Sequence, residues 1–118
     1  ATDDAHFSEP DHFGGWVMVK AEANTPVLLL EALKRGDFYS SQGPDIKGVR
    51  LSANELTVEC TAVVSVIVQG HGSAATAIHG HSLTSASVPL ERFARSPWIR
   101  ATIIDRFGNR AWTNPIWR

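Results

Sequence analysis

The spacing of apolar residues changes near Gly43, and this change limits what the chain can fold into more than any other feature. In residues 26–35, apolar side chains recur every three to four positions, as they do in an amphipathic helix. In residues 56–61, apolar and polar side chains alternate, which is typical of a half-buried strand. We therefore expect two regions of different architecture, residues 1–42 and residues 43–118.

Local signals define a helix at both ends of residues 26–35. Thr25 suits the N-cap, Pro26 suits the first helical position, and Gly36 suits the left-handed position after the last turn. These signals predict a helix over residues 26–35. A short apolar run at residues 16–21 precedes it and predicts a buried strand.

Region 43–118 carries repeated strand signals and no helical stretch. Short segments with turns every 8 to 12 residues are typical of an antiparallel sandwich. We therefore predict a mainly β fold, an antiparallel, immunoglobulin-like β-sandwich. The predicted strands cover residues 46–51, 56–61, 63–69, 77–83, 85–88, 98–105 and 111–117.

The composition excludes several classes of function. Eleven Lys and Arg residues balance 12 Asp and Glu residues, so no strong field attracts nucleic acid or an anionic membrane. Cys60 is the one cysteine, which excludes an internal disulfide framework and a Cys-rich zinc site. Its apolar neighbours predict a buried small hydrophobe. No signal peptide or membrane-spanning run of about 20 residues is visible, so the sequence names no compartment.

The first 15 residues have a loop composition with many side chains that can bind metal ions. Asp4 and His6 form an Asp-x-His pair that can direct a carboxylate oxygen and an imidazole nitrogen at one site. These ligand types suit zinc, manganese or iron, but two ligands are too few to hold a catalytic ion alone. Asp11 and His12 lie close by in sequence, and they either contact substrate or are solvated loop residues.

The order of motifs resembles the end of the PHP-domain metallohydrolases, the polymerase and histidinol phosphatase family. Asp4 and His6 match the family's closing Ser/Thr-Asp-x-His motif, and Asp3 stands at its variable position. A loop, a strand and the capped helix follow. Residues 39–44 resemble the family's turn after the barrel, and residues 105–116 resemble the final hairpin of an appended β domain. The resemblance implies that residues 1–42 are the end of a (β/α) barrel.

The resemblance implies that Asp4 and His6 supply only part of a metal site. The family draws its metal ligands from several barrel strands, beginning with an early His-x-His, and its divalent ions activate water to hydrolyse phosphate esters. The reaction is thus expected of a parent chain, with Asp4 and His6 as its last two metal ligands and His12 near the substrate. We expect these 118 residues alone to be inactive.

The expected partner is the missing N-terminal barrel, and copies of the chain are expected to associate through apolar surface that the barrel would cover. That surface is predicted to comprise Trp16, Val17, Val19, Leu29, Leu30 and Leu33.

Two other functions fit the sequence. One is a stand-alone β-sandwich binding module whose Asp/His loop is incidental. The other is a small metalloprotein that uses His71, His79 and His81. For the tryptophans of the β region, the sequence leaves open a place in the core, a domain contact, or a stacking platform for a sugar or base. These tryptophans are Trp98, Trp112 and Trp117.

Overall fold

A computed structural model describes residues 4–6 and 8–118. The fold is mainly β, and its strands form a single curled antiparallel sheet. No helix in the described ranges has the length and apolar character to cross a membrane. The elements are β1 (Trp16–Val19), α1 (Pro26–Arg35), β2 (Phe38–Ser41), β3 (Ile46–Leu51), β4 (Glu55–Gly70), β5 (Ala75–Pro89), a 3-10 turn (Glu91–Phe93), β6 (Trp98–Ile104), β7 (Arg110–Thr113) and β8 (Ile116–Trp117).

Helix α1 begins and ends where the sequence predicts. Thr25 has extended backbone, and its carbonyl oxygen accepts the N–H of Leu29 at 3.0 Å. Gly36 adopts φ 80°, a left-handed conformation that glycine takes without steric strain, and it ends the helix. Only Ala32 of the helix is buried. The predicted helix is confirmed, and most of its apolar stripe faces solvent.

The long strand β4 organises the sheet, whose main order is β1-β2-β7-β6-β4-β3. The first part of β4 pairs with β3 and its last part pairs with β6, while β5 runs along the opposite edge of both parts. Strand β8 adds to β6. The sheet curls around a core that is fully or almost fully buried: Leu56, Val58, Cys60, Val63, Val66, Val68, Ala86, Val88, Leu90, Phe93, Ile99, Ala101, Ile103 and Ala111.

Two pairs of predicted strands are single strands in the structure. The sequence predicts a break near residue 62, yet β4 continues through it. From Glu59 to Val63 the chain advances four residues along β4 while β5 advances only two, from Ser85 to Leu83. This irregularity shifts the alternation of buried residues, as β-bulges do, without ending the strand. The prediction of separate strands at 77–83 and 85–88 is likewise wrong, because both belong to β5.

Strand β2 joins the N-terminal region to the rest of the sheet. It pairs with β1 on one side and with β7 on the other. The side-chain amide of Asn114 donates hydrogen bonds to the carbonyl oxygens of Gly36 and Phe38, each at 2.9 Å. The N–H of Gln42 donates to the carbonyl oxygen of Arg110 at 2.8 Å. The C-terminal hairpin therefore holds residues 36–42 in place.

The tryptophans of the β region lie outside the innermost core. Trp98 and Trp112 are half-buried, whereas Trp117 is 70% exposed. Placement in the core is therefore wrong for Trp117. Trp112 projects from the face of the sheet opposite the core, because its neighbour Ala111 is fully buried on the core side. The domain contact and the stacking platform stay predictions.

Candidate functional site

The candidate site lies in the loop that precedes β1. Asp4 is exposed and has φ 53°, a left-handed conformation that Asp adopts more readily than most residues. His6 is also exposed, and its carbonyl oxygen accepts the N–H of Ser8. Asp3 lies outside the described residues. The loop thus presents the Asp4 and His6 side chains at the surface, where ligands from another part of a protein could reach them.

Asp11 holds His6 through both of its carboxylate oxygens. The backbone N–H of His6 donates to Oδ1 of Asp11 at 3.0 Å, and Nδ1 of His6 lies 3.0 Å from Oδ2. The His6 side chain is 65% exposed and that of Asp11 is 35% exposed. Because one contact fixes the backbone and the other fixes the ring, Asp11 sets the orientation of the imidazole.

These contacts keep Asp11 ionised. The backbone N–H of His6 lowers the pKa of Asp11 from its usual range, the His6 ring contributes in the same direction, and partial loss of hydration opposes both. An ionised carboxylate beside Nδ1 favours the tautomer that carries its proton there. Nε2 is then the His6 nitrogen suited to bind a metal ion.

The sequence motif identifies Asp4 and His6 but not the part played by Asp11. The structure brings Asp11 and His6 together across five positions of irregular loop, a separation that belongs to no helix or strand period. The predicted substrate neighbour His12 is exposed, and its ring contacts Phe13 edge-on with centroids 4.9 Å apart. Its role near a substrate stays a prediction.

The other histidines lie on a different part of the molecule. His79 and His81 are exposed on β5, and His71 is exposed in the turn that follows β4. Within residues 4–6 and 8–118, no three His, Cys, Asp or Glu side chains are grouped so that they could hold a metal ion.

An apolar surface adjoins the candidate loop. We call it the β1–α1 surface, and its members are exposed apolar side chains of the first strand and the helix: Trp16, Val17, Met18, Val27, Leu30 and Leu33. Val27 is 66% exposed and Leu30 is 52% exposed. Large exposed apolar side chains on one strand and the helix that follows it favour contact with another surface.

A cleft of about 690 Å³ separates β1 and β2 from β3, which lies at the other end of the sheet. Met18, Ile46, Val49 and Ile116 contribute apolar groups to its lining. Tyr39 also lines the cleft, and its hydroxyl donates to Oδ1 of Asp45 at 3.3 Å. Burial and the negative charge of Asp45 raise the pKa of Tyr39, so its phenol keeps its proton.

Comparisons with protein-family models, with curated proteins and with solved structures find no match for this chain. The features of this chain that bear on its function are therefore the loop that carries Asp4, His6 and Asp11 (the Asp4–Asp11 loop), the β1–α1 surface and the order of the sequence motifs.

Proposed function

We propose that this chain is the C-terminal region of a PHP-type metal-dependent phosphoesterase, in which Asp4 and His6 are the last two metal ligands. The observation that carries the proposal is the contact between His6 and Asp11, 3.0 Å at both the backbone and the ring. Metal-binding histidines almost always donate their other ring N–H to a carboxylate, a carbonyl or water. Asp11 is that partner for Nδ1 of His6.

The donor set suits the metals of this chemistry. Asp4 offers a hard carboxylate oxygen and His6 a neutral nitrogen, a combination that zinc, manganese and iron accept. Asp4 also supplies negative charge against the cation. Asp11 keeps Nδ1 of His6 engaged and so reserves Nε2 for coordination.

The reaction is hydrolysis of a phosphate ester. The rest of the parent chain would supply the other ligands of the divalent ions. The ions would then activate a water and stabilise charge on the phosphate oxygens. Within this chain, Asp4 and His6 would hold a metal ion, and Asp11 orients His6. His12 lies in the same loop, where it can approach substrate. We expect no turnover by residues 1–118 alone.

Residues 1–42 are proposed to close a (β/α) barrel, and residues 43–118 to form an appended immunoglobulin-like sandwich. The β1–α1 surface supports this arrangement, because a barrel supplied by the preceding part of the chain would cover it. The curled sheet, with one buried face, is compatible with a sandwich.

The proposal is tested by steady-state kinetics on the full-length gene product with an aryl phosphate ester. His6→Ala and Asp4→Asn should each lower kcat by orders of magnitude, because each deletes a metal ligand. Asp11→Asn should lower it about 10- to 100-fold, as expected for a residue that orients a ligand. His79→Ala, an exposed strand histidine, is the matched control and should retain full activity.

Two outcomes would count against the proposal in different ways. An active His6→Ala enzyme would refute the metal-ligand assignment. A crippled Asp3→Asn enzyme beside an unaffected Asp4→Asn enzyme would show that the motif is shifted by one residue.

A further inference from the structure

Three neighbouring strands, β2, β7 and β6, form a groove on the face of the sheet opposite the core. Ser40 of β2 pairs with Trp112 of β7, and Trp112 pairs with Thr102 of β6. Arg100 lies two residues before Thr102 and therefore projects from the same face. The groove has a volume of about 350 Å³ and is lined by Ser40, Arg100, Trp112, Thr113, Asn114 and Pro115.

Arg100 places a positive charge in this groove, and its N–H groups are only partly hydrogen-bonded. It is half-buried, and one terminal nitrogen donates to Oε1 of Gln69 at 3.1 Å. Its Nε is buried without a hydrogen-bond partner. In the described ranges, the ion pairs involve other residues: His6–Asp11, Arg35–Asp37 and Arg50–Glu59. A half-buried guanidinium whose hydrogen-bond partner is neutral is stabilised by an anion that reaches its remaining N–H groups.

The remaining wall of the groove is rigid and partly aromatic. The Trp112 indole is half-buried and forms a flat apolar surface near Arg100. Thr113 accepts the N–H of Ala101 at 3.0 Å, and Asn114 donates to two backbone carbonyls, so both are held in position before any ligand arrives. Preorganised groups lose less entropy on binding than mobile ones.

We propose that this groove binds a small molecule in which an oxyanion, a carboxylate or a phosphate, is attached to a flat ring. The oxyanion contacts the terminal nitrogens of Arg100, and the ring stacks on Trp112. The site is separate from the Asp4–Asp11 loop and does not depend on the proposed phosphoesterase activity.

The test is an NMR titration of the protein that follows the Arg100 Nε–H and the Trp112 indole N–H. The probes are phenyl phosphate, benzoate and inorganic phosphate. Phenyl phosphate or benzoate should shift both signals and bind at least about fivefold more tightly than inorganic phosphate, because stacking of a ring on an aromatic side chain contributes about 1–3 kcal/mol. The tighter of the two ring probes identifies the preferred oxyanion.

Variants separate the contribution of the Arg100 charge from that of stacking on Trp112. Arg100→Gln should weaken every probe at least about tenfold, since charged hydrogen bonds contribute about 1.5–3 kcal/mol. Trp112→Leu should abolish the preference for a ring and leave inorganic phosphate unchanged. Arg95→Gln, at an exposed arginine in the turn before β6, should bind like the wild type.

Arg100→Lys is a second test variant if Arg100→Gln does not fold, because it keeps the positive charge but lacks the planar guanidinium. It should bind the oxyanion probes less tightly than the wild type. The proposal is overturned if neither ring probe shifts Arg100 and Trp112, if inorganic phosphate binds as tightly as the ring probes, or if folded Arg100 variants bind like the wild type.

Discussion

Cys60 lies in the core of the curled sheet, where only 1% of its surface is exposed. Its Sγ is 3.9 Å from the carbonyl oxygen of Leu83, a distance compatible with a weak hydrogen bond. Burial raises the pKa of the Cys60 thiol, and the positive charge of Lys47 offsets this effect only in part. The interpretation of Cys60 as a buried small hydrophobe is confirmed.

The raised pKa predicts how stability depends on pH. The folded chain keeps the thiol proton at a pH where the unfolded chain releases it, so stability is full below the ordinary thiol pKa of about 8.5 and falls as pH rises through the raised value. In chemical denaturation at several pH values, the free energy of unfolding should fall less steeply in Cys60→Ala than in the wild type. Tyr39→Phe measures the contribution of the phenol, whose pKa is also raised. Identical slopes for Cys60→Ala and the wild type would contradict this account.

At the residue scale, the sequence predicts which side chains have metal-binding chemistry but not how they are held. The motif of Asp4 and His6 can be recognised from the sequence, because it is defined by residue type and spacing alone. The contact between Asp11 and His6 depends on the path of an irregular loop, which no periodic pattern encodes.

At the element scale, local elements are predicted well and distant pairings are not. Helix α1 depends on Thr25, Pro26 and Gly36, all within its own segment, and its bounds match the prediction. Strand β2 is missed, because its pairing with β7 joins residues about 70 positions apart, such as Ser40 and Trp112. The alternation in β4 changes phase at a bulge, and a sequence pattern cannot distinguish that shift from a strand end.

The end of β4 depends on a glycine that is in close contact with the turn before β6. A Cβ at Gly70 would lie 2.6 Å from Oγ of Ser96 and 2.9 Å from the ring of the buried Phe93. Oγ of Ser96 is itself fixed, because it accepts the N–H of His71 at 2.7 Å and donates to the carbonyl oxygen of Trp98. Neither neighbour can move without breaking core packing or these bonds.

Gly70→Ala should therefore destabilise the fold by about 1–3 kcal/mol or more, the usual penalty for overpacking a core. Gly48→Ala is the matched control in β3, because its Cβ would meet no atom closer than 3.4 Å. That variant should change the free energy of unfolding by less than about 1 kcal/mol. Thermal or urea unfolding of both variants measures the difference, and equal stability of the two would refute the packing argument.

At the scale of the whole molecule, the chain has one well-packed core and one uncovered apolar region. The core side chains come from both parts of β4, from β5, β6 and β7, and from Leu90 and Phe93 in and next to the 3-10 turn. The β1–α1 surface lies at the end of the sheet, where β1 pairs with β2 alone among the described strands. An edge strand next to exposed apolar side chains favours association with another chain or domain.

The isolated chain is therefore expected to self-associate. Sedimentation or light scattering should report a mass that rises with concentration. A double substitution, Val27→Lys with Leu30→Lys, should shift the chain toward monomer, because it introduces two charges into the β1–α1 surface. Leu51→Lys is the matched control, an exposed apolar residue on β3, and should leave association unchanged. A wild-type chain that stays monomeric at high concentration would contradict the prediction.

The most direct test of the central claim is the metal content of the full-length gene product, measured by elemental analysis after dialysis against metal-free buffer. If His6 and Asp4 are metal ligands, His6→Ala and Asp4→Asn should each lose roughly one bound ion per chain, because each opens a coordination shell. His79→Ala should keep the wild-type content. His6→Ala and Asp4→Asn proteins that retain the full wild-type complement of metal would contradict the account.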